Sequence, residues 1–132
     1  MAGYSGTPLI KKLGIKEGFR LRLVDAPENY TELLGPLHLG VEENTKENCH
    51  FIHGFFKERA DLETALPALM REINRDGMIW ISWPKKASMV PTTITEDTIR
   101  EIALPLGLVD VKVCAVDEIW SGLKLMIRKE LR

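Results

Sequence analysis

Three times along this chain a glycine ends a helical stretch and an apolar residue follows at once: Leu13-Gly14-Ile15, Asp76-Gly77-Met78 and Leu106-Gly107-Leu108. Glycine takes the left-handed conformation that closes many helices without steric cost, and an apolar residue just beyond it packs back on the last turn. Helices that stop in this way and soon feed strands are the punctuation of an α/β protein. The three glycines therefore restrict the chain to folds in which helices and strands alternate.

The hydrophobic pattern fills in the elements. A first helix is expected over 8–13, with Thr7 as its N-cap and Pro8 at its first helical position. Phe19, Leu21 and Leu23 alternate with Arg20 and Arg22 in a strand over 19–25 that stops at Asp25-Ala26-Pro27. A short helix over 28–34 and a weak edge strand over 40–45 follow. The run CHFIHGFF at 49–56 is almost continuously apolar, as a strand covered on both faces must be. Over 59–75, Leu62, Leu66, Leu69 and Ile73 share one helical face, and Pro67 predicts a kink or break there. MIWISW at 78–83 is the strongest buried-strand signal. Thr95 caps the next helix; Ile94 and Ile99 form a hydrophobic staple across its first turn. Strands over 109–117 and 123–129 are expected to close as a hairpin through Ser121-Gly122.

This order predicts a three-layer, Rossmann-like sheet that is mostly parallel, joined by right-handed crossovers, with the last strand antiparallel. The chain has 132 residues, 45% hydrophobic and 28% charged, enough for one domain with its own core. Residues 1–132 are read as that single domain. Cys49 and Cys114 are too few for a disulfide framework or a four-cysteine zinc site. No apolar run approaches signal-peptide or membrane-spanning length, so a cytoplasmic protein without membrane contact is expected. Eighteen basic and nineteen acidic side chains nearly cancel. A basic lead-in (Lys11, Lys12, Lys16, Arg20, Arg22) precedes an acidic stretch (Asp25, Glu28, Glu32, Glu42, Glu43, Glu47). The lead-in is too short for a nucleic-acid footprint, and it is read as a solvated face.

Two resemblances bear on function. GYSGTPLIKKLGIKEGFR at 3–20, DAP at 25–27, WPKKAS at 83–88 and ALPLGLVDVKVCAVDEIWSGLKL at 103–125 resemble the bacterial domain of unknown function 3052 family. That likeness spans nearly the whole chain and implies no activity. More remotely, the element order over 49–130 is similar to the C-terminal half of class I S-adenosylmethionine methyltransferases. By that likeness the strands lie in the order 2-1-3-4-6-5, counted along this chain. Those enzymes carry a glycine-rich turn after their first strand, where the backbone approaches the methionine part of the cofactor. This chain has Asp25-Ala26-Pro27-Glu28-Asn29 there, with no glycine before Gly35. Proline removes a donor and fixes φ, and the two carboxylates repel an incoming carboxylate. The chain is also short between its first and third strands. No S-adenosylmethionine, and no other cofactor, is expected.

Ligands on open α/β sheets bind beyond the carboxyl ends of the strands where the strand order reverses. Asp25, Pro27, Phe55, Trp83, Lys85, Lys86, Ser88 and Trp120 all fall at that edge, and they are the candidate ligand-binding residues. Lys85, Lys86 and Ser88 are placed to grip a phosphate or carboxylate; Trp83 and Trp120 offer flat surfaces. Asp117 and Glu118 are strand neighbours that face opposite ways, so they make no acid–base pair. His50 and His53, three apart in a strand, cannot share a metal, and no metal site is expected. Cys114 shares a strand face with Lys112, the one cationic neighbour that would activate its thiol. The small residues of GYSGTP offer an anion cradle but lack the lysine–serine ending of a P-loop. The reading is a non-catalytic binding or interaction domain, its partner a small anion or another protein. The alternative is an enzyme acting on a small anionic substrate through Lys85, Lys86 and Asp25. Self-association through an exposed edge strand is the third expectation.

Overall fold

The computed structural model describes residues 8–36, 40–43 and 46–132. The elements are α1 (Leu9–Leu13), β1 (Leu21–Val24), α2 (Tyr30–Leu34), β2 (Cys49–Phe55), α3 (Arg59–Glu72), β3 (Ile73–Pro84), α4 (Glu96–Leu106), β4 (Leu108–Ala115) and β5 (Trp120–Ile127). The strands lie in the order β1-β2-β3-β5-β4. β1, β2 and β3 pair in parallel, and β5 runs antiparallel between β3 and β4.

The result is an α/β fold with a five-stranded mixed sheet, and the expected six-strand order 2-1-3-4-6-5 is corrected to it. The weak strand expected over 40–45 is one bridge, Arg20 to Glu42, beside β1. Val41 is its only large apolar side chain, so a longer ladder there would bury little. Residues 3–7 of the GYSGTP segment, Thr7 among them, lie outside the described residues, as does His38; Pro8 stands at the N-cap of α1 and not, as expected, at its first helical position.

Helices cover both faces. On one, Leu62, Leu66 and Leu69 of α3 and Ile99 and Ala103 of α4 pack on Ile52, Ile79, Ile81, Leu123 and Leu125. On the other, Ile10 and Leu13 of α1 and Tyr30 and Leu34 of α2 pack on Leu21, Phe51, Phe55, Trp80 and Trp120. Alternation along each strand sends neighbouring side chains to opposite layers. Arg59 joins α3 to α4 through Glu101 at 2.8 Å. Arg22 of β1 pairs with Glu72 at the end of α3.

Two of the three punctuating glycines close helices as expected: Gly14 (φ 88°) and Gly107 (φ 101°) are left-handed caps. Gly77 does not. α3 ends at Glu72, Ile73 caps it in an extended conformation, and Gly77 lies inside β3. Its role is close approach: a Cβ there would stand 2.9 Å from the Cys49 carbonyl oxygen and 2.9 Å from the Ile73 side chain. Gly77→Ala is therefore expected to cost about 1–3 kcal/mol by overpacking, read as a lower urea midpoint at unchanged slope.

Pro67 does not break α3, which runs unbroken through it. Three fully or almost fully buried leucines flank the proline and hold the helix on the sheet; the carbonyl it leaves free belongs to Glu63, on the exposed side. α4 begins as expected. Thr95 Oγ1 accepts from the Thr98 amide at 3.2 Å, Thr98 Oγ1 accepts from the Thr95 amide at 3.1 Å, and Ile94 and Ile99 are buried. The closing hairpin turns earlier than expected. Asp117 Oδ1 accepts from the amides of Ile119 and Trp120, both at 2.8 Å, and Ser121-Gly122 is part of β5. Gly122 is there because Trp80 of β3 leans over it: a Cβ would meet the indole at 3.1 Å.

β4 is an edge strand with its register broken between Asp110 and Lys112. Val111 is the extra residue, and Asp110 is held by Arg100 at 2.9 Å. A bulge and charged side chains blunt an edge against pairing with another chain.

Candidate functional site

The carboxyl ends of β1, β2 and β3 and the start of β5 meet at one rim of the sheet. β1 ends at Val24, and Asp25 turns the chain with a left-handed φ of 53°. Aspartate tolerates that conformation better than most residues because its short side chain bonds locally. A turn that glycine would make without charge thus carries a carboxylate. Pro27 follows, its carbonyl accepting from the Tyr30 amide at 3.0 Å as α2 begins.

Two separate recesses open on this rim. The first, about 440 Å³, is lined by Asp25, Pro27, Phe55, Phe56, Lys57, Asp61 and Trp120. The second, about 680 Å³, is lined among others by Trp83, Pro84, Lys85, Lys86, Thr92, Thr95, Glu96 and Ser121. The wall between them is a matter of strand parity. Pro84 pairs with Trp120 and Trp83 with Ser121. Trp120 joins the core under α1 and α2, whereas Trp83 joins the core under α3 and α4.

The eight predicted residues are therefore divided. Asp25, Pro27, Phe55 and Trp120 share the first recess; Trp83, Lys85 and Lys86 share the second. Ser88 lines neither. Its hydroxyl donates to the Lys85 carbonyl at 2.7 Å and accepts from the Val90 amide at 3.2 Å, closing the turn around residues 86–88. Lys57 and Asp61 were not among the predicted residues. Lys57 follows β2 as Lys85 follows β3, so the rule that picked out one lysine applies equally to the other.

A polar chain buried beneath the first recess is also absent from the sequence reading. Tyr30 Oη lies 2.8 Å from His53 Nδ1, and His53 Nε2 lies 2.7 Å from Ser82 Oγ. His53 and Ser82 are fully buried and Tyr30 nearly so. Burial pushes the His53 pKa down to about 3 and the Tyr30 phenol well above its usual value. A neutral imidazole bonds to both hydroxyls, donating from one nitrogen and accepting at the other. His53 also stacks on Phe55 at 4.3 Å, and Phe55 meets Trp120 edge-on at 5.1 Å. The network thus supports the aromatic floor of the first recess but is sealed from it. His50 has a different task, accepting from the Arg20 amide at 2.9 Å and stacking on Phe19.

Burial raises the Cys114 thiol pKa against the opposing pull of Lys12 and Lys112, which is the reverse of activation. Among the described residues no three of His, Cys, Asp and Glu come together to hold a metal ion. No described helix is long and apolar enough to cross a membrane.

The fold is similar to that of solved methyltransferase structures. The chain is similar to a "SAM dependent methyltransferase" from Aquifex aeolicus, at 15% identity and a TM-score of 0.61, covering 91% of this chain and 88% of that one. It is similar to a TehB-like SAM-dependent methyltransferase from Corynebacterium glutamicum, at 11% identity and a TM-score of 0.55, covering 96% and 91%. It also resembles Aeropyrum pernix fibrillarin, solved with natively bound S-adenosyl-L-methionine, at 10% identity and a TM-score of 0.59, covering 94% and 70%. Identities this low establish the shared fold. No curated protein matches the sequence. One family model does, over residues 36–129, and it takes in the WPKKAS and ALPLGLVDVKVCAVDEIWSGLKL stretches. The chain belongs to that family, described as "Protein of unknown function (DUF3052)".

Proposed function

We propose that this protein is a non-catalytic binding domain on a methyltransferase-like scaffold, and that it takes a small anion in the recess of Lys85 and Lys86. The turn after β1 carries this reading. Where the resemblance calls for a glycine-rich approach to a cofactor, the chain has Asp25 in a left-handed conformation followed by Pro27. The recess beside it presents Asp25 and Asp61 against one lysine, Lys57, which disfavours a ligand carrying a carboxylate. The second recess is the one suited to an anion, with two lysines and the hydroxyl-bearing Thr92, Thr95 and Ser121 around it, and its one carboxylate, Glu96, paired with Arg100.

The separation of Asp25 from Lys85 and Lys86 favours binding over catalysis. An enzyme using all three needs them in one cleft, and Asp25 lines one recess while Lys85 and Lys86 line the other. The buried Tyr30–His53–Ser82 chain offers no substitute, since no substrate atom reaches it.

A thermal-shift screen tests the reading. Sulfate, phosphate and small dicarboxylates are compared with S-adenosylmethionine at matched ionic strength. An anion at a hundredfold excess over its Kd is expected to add about 2.7 kcal/mol of stability, with the gain lost in the Lys85→Ala/Lys86→Ala double variant and no gain from S-adenosylmethionine. Stabilisation by S-adenosylmethionine together with methyl transfer overturns it.

A further inference from the structure

The recess of Lys85 and Lys86 is more apolar than a bare anion needs. Half of its lining residues are apolar: Trp83, Pro84, Met89, Val90, Pro91 and Ile94. Trp83 and Ile94 are buried, and Met89 is 86% exposed, more than any other large apolar side chain among the described residues. Apolar surface therefore lines the recess from its buried floor to its open rim.

The segment that shapes the recess is fastened at both ends. The Lys85 amide donates to the Ile119 carbonyl at 2.8 Å, and the Thr93 amide to the Lys57 carbonyl at 2.9 Å. Between them the Met89 amide donates to the Lys86 carbonyl at 3.2 Å, and Met89 takes a left-handed φ of 63°. That conformation is unfavourable for a residue with a side chain and persists where its surroundings impose it. The turn thus holds out in solvent an unbranched, adaptable side chain of the kind that fits itself to apolar guests.

Few polar groups of the lining are left for a guest. The Thr92 hydroxyl donates to the Lys57 carbonyl at 2.6 Å and accepts from the Ile94 amide at 3.1 Å. Thr95 Oγ1 lies 3.0 Å from Thr98 Oγ1 and accepts from the Thr98 amide. Glu96, the one carboxylate of the lining, is paired with Arg100. Lys85, Lys86 and Ser121 remain, and among the described residues their side chains have no hydrogen bond or ion pair. Size points the same way. A bare tetrahedral anion occupies a few water volumes of ~30 Å³ each. The recess holds about 680 Å³, within the range of about 300–1,000 Å³ for clefts that take organic ligands.

We propose, resting on the anion reading of this recess given above, that its guest is an organic anion: a phosphate monoester or carboxylate on a hydrocarbon body of about ring size. The head lies at Lys85 and Lys86, the body against Trp83, Ile94 and Met89. A bare anion leaves the apolar walls facing water, and a neutral hydrocarbon leaves the lysines without a counter-charge. A guest with both parts satisfies both.

The test is a titration of the full chain, carrying ¹³C-methyl methionine, with phenyl phosphate and with inorganic phosphate at equal ionic strength. Phenyl phosphate is expected to bind about tenfold tighter or more, because its ring is removed from water. Of Met70, Met78, Met89 and Met126, the Met89 methyl alone is expected to shift, since the other three line neither recess of this rim. Lys85→Ala/Lys86→Ala is expected to weaken both ligands about tenfold or more. Phenylacetate against acetate, and hexyl phosphate against phosphate, separate the head groups and distinguish ring from chain; a gain over the body-free parent in either supports the class. Equal affinity for phenyl phosphate and phosphate, lost in the double-lysine variant, overturns the organic guest and leaves the anion reading standing. Binding of neither ligand, or binding indifferent to the double-lysine change, overturns both. A tighter phenyl phosphate that leaves the Met89 methyl unmoved sits elsewhere and overturns the proposal, as does benzyl alcohol binding as tightly as phenyl phosphate.

Discussion

Trp80→Ala is expected to destabilise the protein by about 3–5 kcal/mol, the range for deleting a large buried aromatic. Trp80 is fully buried at the centre of the sheet, with α1 above it and Gly122 beneath its ring. Two losses combine. A cavity opens in a layer that includes Leu13, Phe51 and Val116. The Leu13 carbonyl, in the last turn of a helix where carbonyls have no partner within the helix, also loses the indole donor at 2.9 Å. A five-residue helix cannot hold itself together in water, so α1 is expected to lose its amide-exchange protection first. Chemical denaturation gives the total, and hydrogen exchange gives the order. A variant within about 1 kcal/mol of the parent, with α1 still protected, would show that the anchor lies elsewhere, since deleting a buried aromatic ordinarily costs several times that.

Acid is expected to weaken the fold through His53. Its pKa is about 3 when folded, because burial disfavours the charged ring, against 6.5 for the free side chain. Between those values the unfolded chain binds a proton that the folded protein does not. Stability therefore rises with pH across that window and is lost as pH falls below 6.5, at about 1.4 kcal/mol per pH unit. Going from pH 6.5 to 5 is expected to remove about 2 kcal/mol. Carboxylates with lowered pKa values, such as Asp110 beside Arg100, add to the loss further down; the window above pH 5 belongs mainly to histidine. His50, whose pKa burial and Arg20 also lower, contributes with the same sign. The check is a pair of stability–pH curves. His53→Gln is expected to be less stable than the parent at pH 7.5, having lost part of the Tyr30 and Ser82 bonding, yet flatter between pH 6.5 and 5. Parallel curves would remove His53 as the cause.

Much of this fold was readable residue by residue. The cap at Thr95, the glycines after α1 and α4, and the apolar runs of β2 and β3 report local physics, and the structure has them where that physics puts them. The failures lie where a local signal has two meanings. Gly77 looked like a helix stop because glycine commonly is one; its actual constraint, the carbonyl of Cys49 on another strand, is not visible along the chain. Pro67 looked like a break because its neighbours' grip on the sheet is tertiary. The rim of the sheet was legible, since it follows from strand ends alone. Its division into two recesses was not. Once Ser121-Gly122 was assigned to the turn, Trp120 had no strand parity, and nothing showed that it and Trp83 look opposite ways. The Tyr30–His53–Ser82 chain spans 23 residues on one side and 29 on the other; only the register of β2 on β3 brings its members together.

The start of β5 acts as a bulkhead. Side chains of consecutive residues there belong to different compartments, and no residue lines both. The linings share no side chain, so reshaping one compartment leaves the other as it was. A change confined to Trp120 or to Ser121 remodels the wall of one compartment alone.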